Sequence, residues 1–289
     1  MKNDIHHHFI PQALRRYVSD LPEWTEEGSI DFLDRHGLKK ACLSLSYHDI
    51  TFASEDEYVK FCRDANEELA ETVARRPDRF DAFGVLPFPH VEASIAELDR
   101  CVEEYGFAGV VLYTNVRGEY PSFRDHEALF AAFNKRKATL FIHPGTAPLI
   151  NGESYSAVSL DIEIPQDVTR LVCRFLVEDG FERYPDISYV LGHGGGMLPY
   201  NYDRIGKLVY MKSAGGKLAL RVGRLLHDLI TKRYKIDEYV QSVTIDLYDS
   251  SGPEQLAALE ENIDRDAWRF GSNFPYASNA SGASAIDTQ

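Results

Sequence analysis

Short runs of apolar and β-branched residues alternate along this chain with longer stretches in which apolar positions recur every three or four residues. The short runs fall at Asp4–Phe9, Ala41–Ser46, Phe80–Leu86, Gly109–Tyr113, Thr139–His143, Ile187–His193, Ser242–Leu247 and Trp268–Ser272. Their length and composition predict eight strands. The stretches between them predict helices. Ser54-Glu-Asp-Glu57 forms a capping box whose helix stops near Arg76, before Pro77. Val91, Ile95, Leu98, Val102 and Tyr105 make one apolar stripe, closed by Gly106. Asp125–Arg136, Gln166–Glu182 and Pro253–Ile263 carry the same signature. Strand–helix alternation implies a parallel sheet, and eight units imply closure into a (β/α)8 TIM barrel; a doubly wound open sheet is the alternative.

Two regions leave this rhythm. Residues 199–235 read as a long helical insertion or lid, broken at Gly215-Gly216. Residues 277–289 are small and polar where an eighth barrel helix is expected, so that helix is read as short or missing. A barrel with one strand uncovered would expose apolar surface, which predicts either a homo-oligomer, a dimer or a tetramer, or reduced stability. With 289 residues and no visible linker or repeat, the chain is expected to be one domain.

Composition narrows the partners. The net charge of −14 disfavours nucleic acid and anionic membranes, and no apolar run is long enough to span a bilayer. Cys42, Cys62, Cys101 and Cys173 show no metal-site or disulfide spacing, as expected of thiols in a cytoplasmic protein. A small acidic substrate would need local positive charge to enter such an acidic molecule.

Of ten histidines, four stand at predicted strand ends. His6 and His8 are two apart on a strand, so both rings share one face and His7 takes the other. His143 ends the fifth strand, before Pro144-Gly145. His193 ends the sixth, before Gly194-Gly195-Gly196, a run that lacks both the P-loop and the dinucleotide spacing. Catalytic groups of a barrel project from the C-terminal strand ends. Imidazoles converging there can hold one divalent metal and leave positions open for substrate. Zinc is the first expectation, with manganese or magnesium as alternatives. Tyr47 and His48 after the second strand, Asn115 after the fourth, and Arg204 beyond the glycine run are candidate substrate-binding residues.

The segments Asp4-Ile-His-His-His-Phe-Ile-Pro11, Phe141-Ile-His-Pro144, Leu191-Gly-His-Gly-Gly-Gly196 and Phe270-Gly-Ser-Asn-Phe-Pro-Tyr276 lie in order across nearly the whole chain. In this the chain resembles the amidohydrolase-related decarboxylases typified by aminocarboxymuconate-semialdehyde decarboxylase. Gly109–Asn115 and Pro87-Phe-Pro89 add a weaker similarity to the 6-methylsalicylate decarboxylase-like branch. The resemblance implies metal ligands at His6, His8, His143 and position 273, with His193 as a catalytic histidine. It implies non-oxidative decarboxylation of a small aromatic or dienoic carboxylic acid. A metal-dependent hydrolase of a lactone, amide or enol on the same scaffold is the competing reading.

One position departs from the family pattern. Where the resemblance places an aspartate, this chain has Asn273, which keeps an oxygen for a metal but carries no charge and cannot act as a base. Three explanations stand beside one another: a deliberate change, a natural variant with impaired or altered chemistry, or another carboxylate, Asp246 or Asp249, acting in its place.

Overall fold

A computed structural model describes residues 2–46, 50–145, 162–206, 239, 242–250 and 252–277. The lid region beyond residue 206, Tyr47, His48 and the tail beyond residue 277 lie outside the described residues. Eight strands run parallel in sequence order: β1 (Asn3–Phe9), β2 (Lys40–Leu45), β3 (Phe80–Val85), β4 (Gly109–Tyr113), β5 (Thr139–His143), β6 (Ser188–Leu191), β7 (Val243–Asp246) and β8 (Trp268–Arg269). Closure comes from β1 and the segment that follows β8. Ile5 N–H donates to Phe270 O at 2.9 Å, and His8 N–H donates to Phe274 O at 2.6 Å. The molecule is therefore the TIM barrel that the alternation predicted.

The helices α1 (Gln12–Arg15), α2 (Glu26–Arg35), α3 (Glu55–Arg75), α4 (Val91–Asp99), α5 (Glu127–Lys135), α6 (Ile164–Val177), α7 (Gly180–Arg183) and α8 (Pro253–Asn262) connect the strands. Their starts obey local chemistry. Ser54 Oγ accepts from Glu57 N–H at 3.2 Å, as the capping box requires, and Thr25 Oγ1 caps α2 through Gly28 N–H at 2.9 Å. The expected helix at 166–182 divides into α6 and α7, because Asp179 takes a left-handed conformation with φ 57°. None of the described helices is long and apolar enough to cross a membrane.

Register fixes what points inward. Val85 pairs with Val111 and Val111 with Phe141; two residues further along, Tyr113 pairs with His143. Side chains paired across parallel strands share a face, so Val85, Val111 and Phe141 form one interior level and Tyr113 and His143 the next. Phe83 has the same parity as Val85, and it and Phe141 are buried inside the barrel, while Leu140 and Ile245, of the opposite parity, are buried under the helices.

A buried carboxylate ties the barrel seam. Asp4 accepts from Ser272 Oγ at 2.6 Å, Ser272 N at 3.1 Å, His6 N at 3.2 Å and His7 Nδ1 at 3.0 Å. His7 Nε2 meets Ser29 Oγ on α2 at 3.1 Å, which spends both nitrogens of that ring away from the barrel axis.

Candidate metal centre and active site

The four strand-end histidines meet. One ring nitrogen from each of His6, His143 and His193 lies within 4.8 Å of the other two. His8 joins through His6, with Nε2 of the two rings 3.1 Å apart and the His8 and His143 ring centroids 5.0 Å apart. The strands explain the convergence. His6 and His8 share the inward face of β1, His143 is the last residue of β5, and His193 opens a tight turn two residues past β6.

Hydrogen bonds on the far side of each ring set the tautomers. His6 Nδ1 is 2.7 Å from Asp246 Oδ2, and His8 Nδ1 is 3.2 Å from Ser44 O. Both partners only accept, so each Nδ1 carries the hydrogen and each Nε2 presents a lone pair. Two lone pairs then face each other at 3.1 Å. Two metal–nitrogen bonds of about 2.1 Å would place such nitrogens roughly 2.9 to 3.4 Å apart, so this spacing suits a shared cation. His143 follows the same rule, with Nδ1 2.9 Å from Pro144 O. The residues present therefore fit a divalent metal.

Electrostatics agree. Burial pushes the His8 imidazolium well below the ordinary imidazole range, and neighbouring His6 and His143 add to that. His193 is lowered by burial of its ring and by the same two neighbours. Neutral imidazoles are the form that binds a metal. Asp246 is fully buried and serves three groups: His6 Nδ1, the His193 N–H at 3.2 Å and the Tyr248 N–H at 2.6 Å. That leaves a carboxylate charge directly behind the imidazole cluster, which a cation would balance.

Asn273 stands at the seam beside this cluster. Its N–H donates to His6 O at 2.7 Å and its φ is 56°, a left-handed conformation that asparagine tolerates better than most residues. His193 is also left-handed, with φ 52°, and the three glycines behind it all have positive φ. A Cβ on Gly194 would lie 1.9 Å from Ser250 Oγ, and one on Gly196 would lie 2.0 Å from Pro165 O. The glycine run thus lets the chain turn sharply enough to aim His193 back over the barrel.

The other candidates are placed differently. Asn115 is fully buried, and its Nδ2 donates to Asp167 at 2.8 Å, within a network that also holds Thr114, Tyr120 and Arg170. Arg204 is exposed on a short helical segment. His90 pairs with Glu55 at 3.2 Å and His126 with Glu119 at 3.4 Å.

The structure adds residues that sequence reasoning left out. The Tyr248 ring lies 5.3 Å from that of His6 and 5.0 Å from that of His193. The Tyr276 ring lies 5.4 Å from that of His8, and burial pushes its hydroxyl up to about 12. Tyr113 stands 6.1 Å from His143, its hydroxyl donating to Leu45 O at 2.8 Å. The shared parity of Tyr113 and His143 was the available signal; for Tyr248 and Tyr276 only their position just past strand ends hinted at a role. A cavity of about 500 Å³ opens over the ends of β2, β3 and β4, and Tyr113 lines it.

Fold and site together describe a TIM barrel with a cluster of buried histidines at the C-terminal ends of its strands. The chain belongs to the amidohydrolase family, whose model matches residues 3–288. It is similar to decarboxylase yanB of Aspergillus niger, 29% identical over 95% of this chain and 77% of that protein. It is similar to gamma-resorcylate decarboxylase of Rhizobium radiobacter, 27% identical over 69% of this chain and 68% of that protein. Among solved structures, 2,6-dihydroxybenzoate decarboxylase complexed with 2,6-dihydroxybenzoate has a TM-score of 0.75 at 22% identity, covering 100% of this chain and 91% of that one. A dihydroxybenzoic acid decarboxylase from Polaromonas sp. JS666 with bound manganese has a TM-score of 0.76 at 21% identity, covering 99% and 90%.

Proposed function

We propose that this protein is a metal-dependent, non-oxidative decarboxylase of a small aromatic carboxylic acid. The observation that carries the reading is the pair of Nε2 lone pairs held face to face at 3.1 Å, with His143 and His193 closing around them. The decarboxylases named above, one of them bound to manganese, supply the reaction class.

His6, His8 and His143 would hold the ion, with Asn273, whose backbone N–H bonds His6 O, as the candidate fourth ligand. Zinc suits three imidazoles, and manganese accepts the same ligands. A divalent cation there supplies Lewis-acid charge for the substrate carboxylate and an adjacent oxygen. The protein's own groups do the rest. Asp246 fixes the His6 tautomer and, through the His193 N–H, the place of the second imidazole. The Nδ1 of His193 is buried and finds no hydrogen-bond partner among the described residues, so it is disposed to hold or pass a proton at the ring carbon that bears the carboxylate. Protonation of that carbon interrupts aromaticity; the C–C bond electrons then return to the ring as CO2 leaves. Tyr248, Tyr276 and Tyr113 give the ring aromatic walls and help exclude water.

Asn273 favours a second reading, that turnover is limited by the missing charge at this position. One assay tests the reaction class, and Asn273→Asp run beside the unchanged chain tests the limit at position 273. The protein loaded with zinc or manganese is offered dihydroxybenzoates, and CO2 is measured against acid released from lactones. CO2 release supports the decarboxylase; lactone opening with no CO2 from any aromatic acid would overturn it in favour of a hydrolase. The reading takes the protein as cytoplasmic, supported by four cysteines that form no disulfide.

A further inference from the structure

We propose that the cavity over β2–β4 is a substrate subsite, which takes an apolar substituent, an alkyl chain or a second hydrophobic ring, on the aromatic acid. The proposal takes its acid headgroup from the decarboxylase reading and adds what the rest of the substrate must be.

The cavity belongs to the same barrel mouth as the histidines. Val85 and Tyr113 both line it, and both share the inward face that carries Phe141 and His143. Ser46 lines it as well, and Ser46 bonds Tyr276, whose ring stands against His8. Tyr113 is the wall residue that the cavity shares with the surroundings of His143, so a ring held against Tyr113 would border this space on its β2–β4 side. At about 500 Å³ the space falls in the range that accommodates ligands of drug size, more than a single-ring acid needs.

Its lining sets the chemistry. Leu14, Leu45, Phe61, Val85 and Val116 are buried apolar wall residues, and Phe52 and Ile50 complete the apolar side. The polar groups that share the wall already have partners: Ser46 bonds Tyr276, Ser54 Oγ accepts from Glu57 N–H, and the Tyr58 and Tyr113 hydroxyls donate to Leu86 O and Leu45 O, so a charged or strongly polar substituent there would lose more hydration than it regains. Charge is confined to one edge, where Glu55 pairs with His90 and where Arg117 and Glu119 are exposed. A second carboxylate deep in the cavity is thus disfavoured, while methylene groups are welcome.

The test is calorimetric binding of a hydroxybenzoate series, carrying hydrogen, methyl, propyl or pentyl at one ring position, to the metal-loaded protein, with CO2 release followed in parallel. Affinity should rise about two- to fourfold per methylene until the cavity is filled. Val85→Phe, which narrows the cavity from inside, should flatten that gain. Ile50→Trp, at a half-buried position, provides the same narrowing should the core substitution unfold the protein. A series whose affinity does not depend on chain length, or a gain untouched in both narrowed variants, overturns the subsite whether or not CO2 is released. A chain-length gain with no CO2 from any member keeps the subsite and removes the decarboxylase reading.

Discussion

Asp246 organises the site more than any residue that faces the substrate. It sits 240 residues from His6 in sequence, yet it fixes that ring at 2.7 Å and reaches the turn that carries His193. Its removal should loosen the metal without touching a proposed ligand. Asp246→Ala is expected to lower metal affinity about 10- to 100-fold, measured by competition with a chelator; unchanged affinity would make the carboxylate incidental. Asn273→Asp restores a charge and a base at the end of the barrel seam, and turnover of a dihydroxybenzoate should rise about a hundredfold or more in a CO2 assay. Residue chemistry was legible wherever local spacing encodes it. His6 and His8 share a face because strands have a period of two, and His143 and His193 stand where apolar runs end. Asp246 was visible only as a carboxylate near a strand end, since its partnership with His6 depends on barrel closure. Tyr248 and Tyr276 were hidden among 16 tyrosines with no spacing to distinguish them.

Elements hold these residues in register. The seam between β1 and the segment after β8 depends on Asp4, which accepts four hydrogen bonds while fully buried. Ser272→Ala removes one of those donors beside Asn273 and should cost about 1–3 kcal/mol in urea unfolding. Gly109→Ala should cost a similar amount, about 1–3 kcal/mol, because its Cβ would lie 2.2 Å from Thr139 O on the neighbouring strand. The sequence pattern located every strand but misjudged some ends, for physical reasons. The sixth run was expected to stay extended to His193; it stops at Leu191, because His193 and Gly194 turn left-handed. The eighth was expected to reach Ser272; its regular pairing with β7 stops at Arg269, and Phe270 bridges to Asp4 on β1 instead. Helix α2 escaped notice because Gly28 interrupts its first turn and its apolar positions are few, although Thr25 caps it well.

At the scale of the whole molecule, burial of neutral imidazoles makes stability depend on pH. His8 and His193 titrate below the ordinary imidazole value in the fold, mainly because burial disfavours their charged forms. Between that ordinary value, about 6.5, and their lowered folded values, the unfolded chain binds more protons than the native one. Stability of the metal-free protein is therefore complete above this window and is lost as the pH falls through it, by up to about 1.4 kcal/mol per pH unit for each group. Thermal melts at pH 7.5 and pH 5.5 should show a clear drop in Tm, larger than in a variant carrying His8→Gln. The alternation of elements made the closed barrel legible from sequence. The apolar cavity was not, since its walls come from the ends of β2, β3 and β4, their loops and helices α1 and α3, and only the closed fold brings these together.

In the proposed site, imidazoles distant in sequence share one divalent ion at the barrel rim. Elemental analysis after dialysis against trace zinc or manganese tests it directly, with the wild-type chain beside a His6→Ala/His8→Ala double variant that circular dichroism shows to be folded. About one metal per wild-type chain and essentially none in the folded double variant are expected. A double variant that keeps its metal, or a wild-type protein that binds none, would contradict a shared ion.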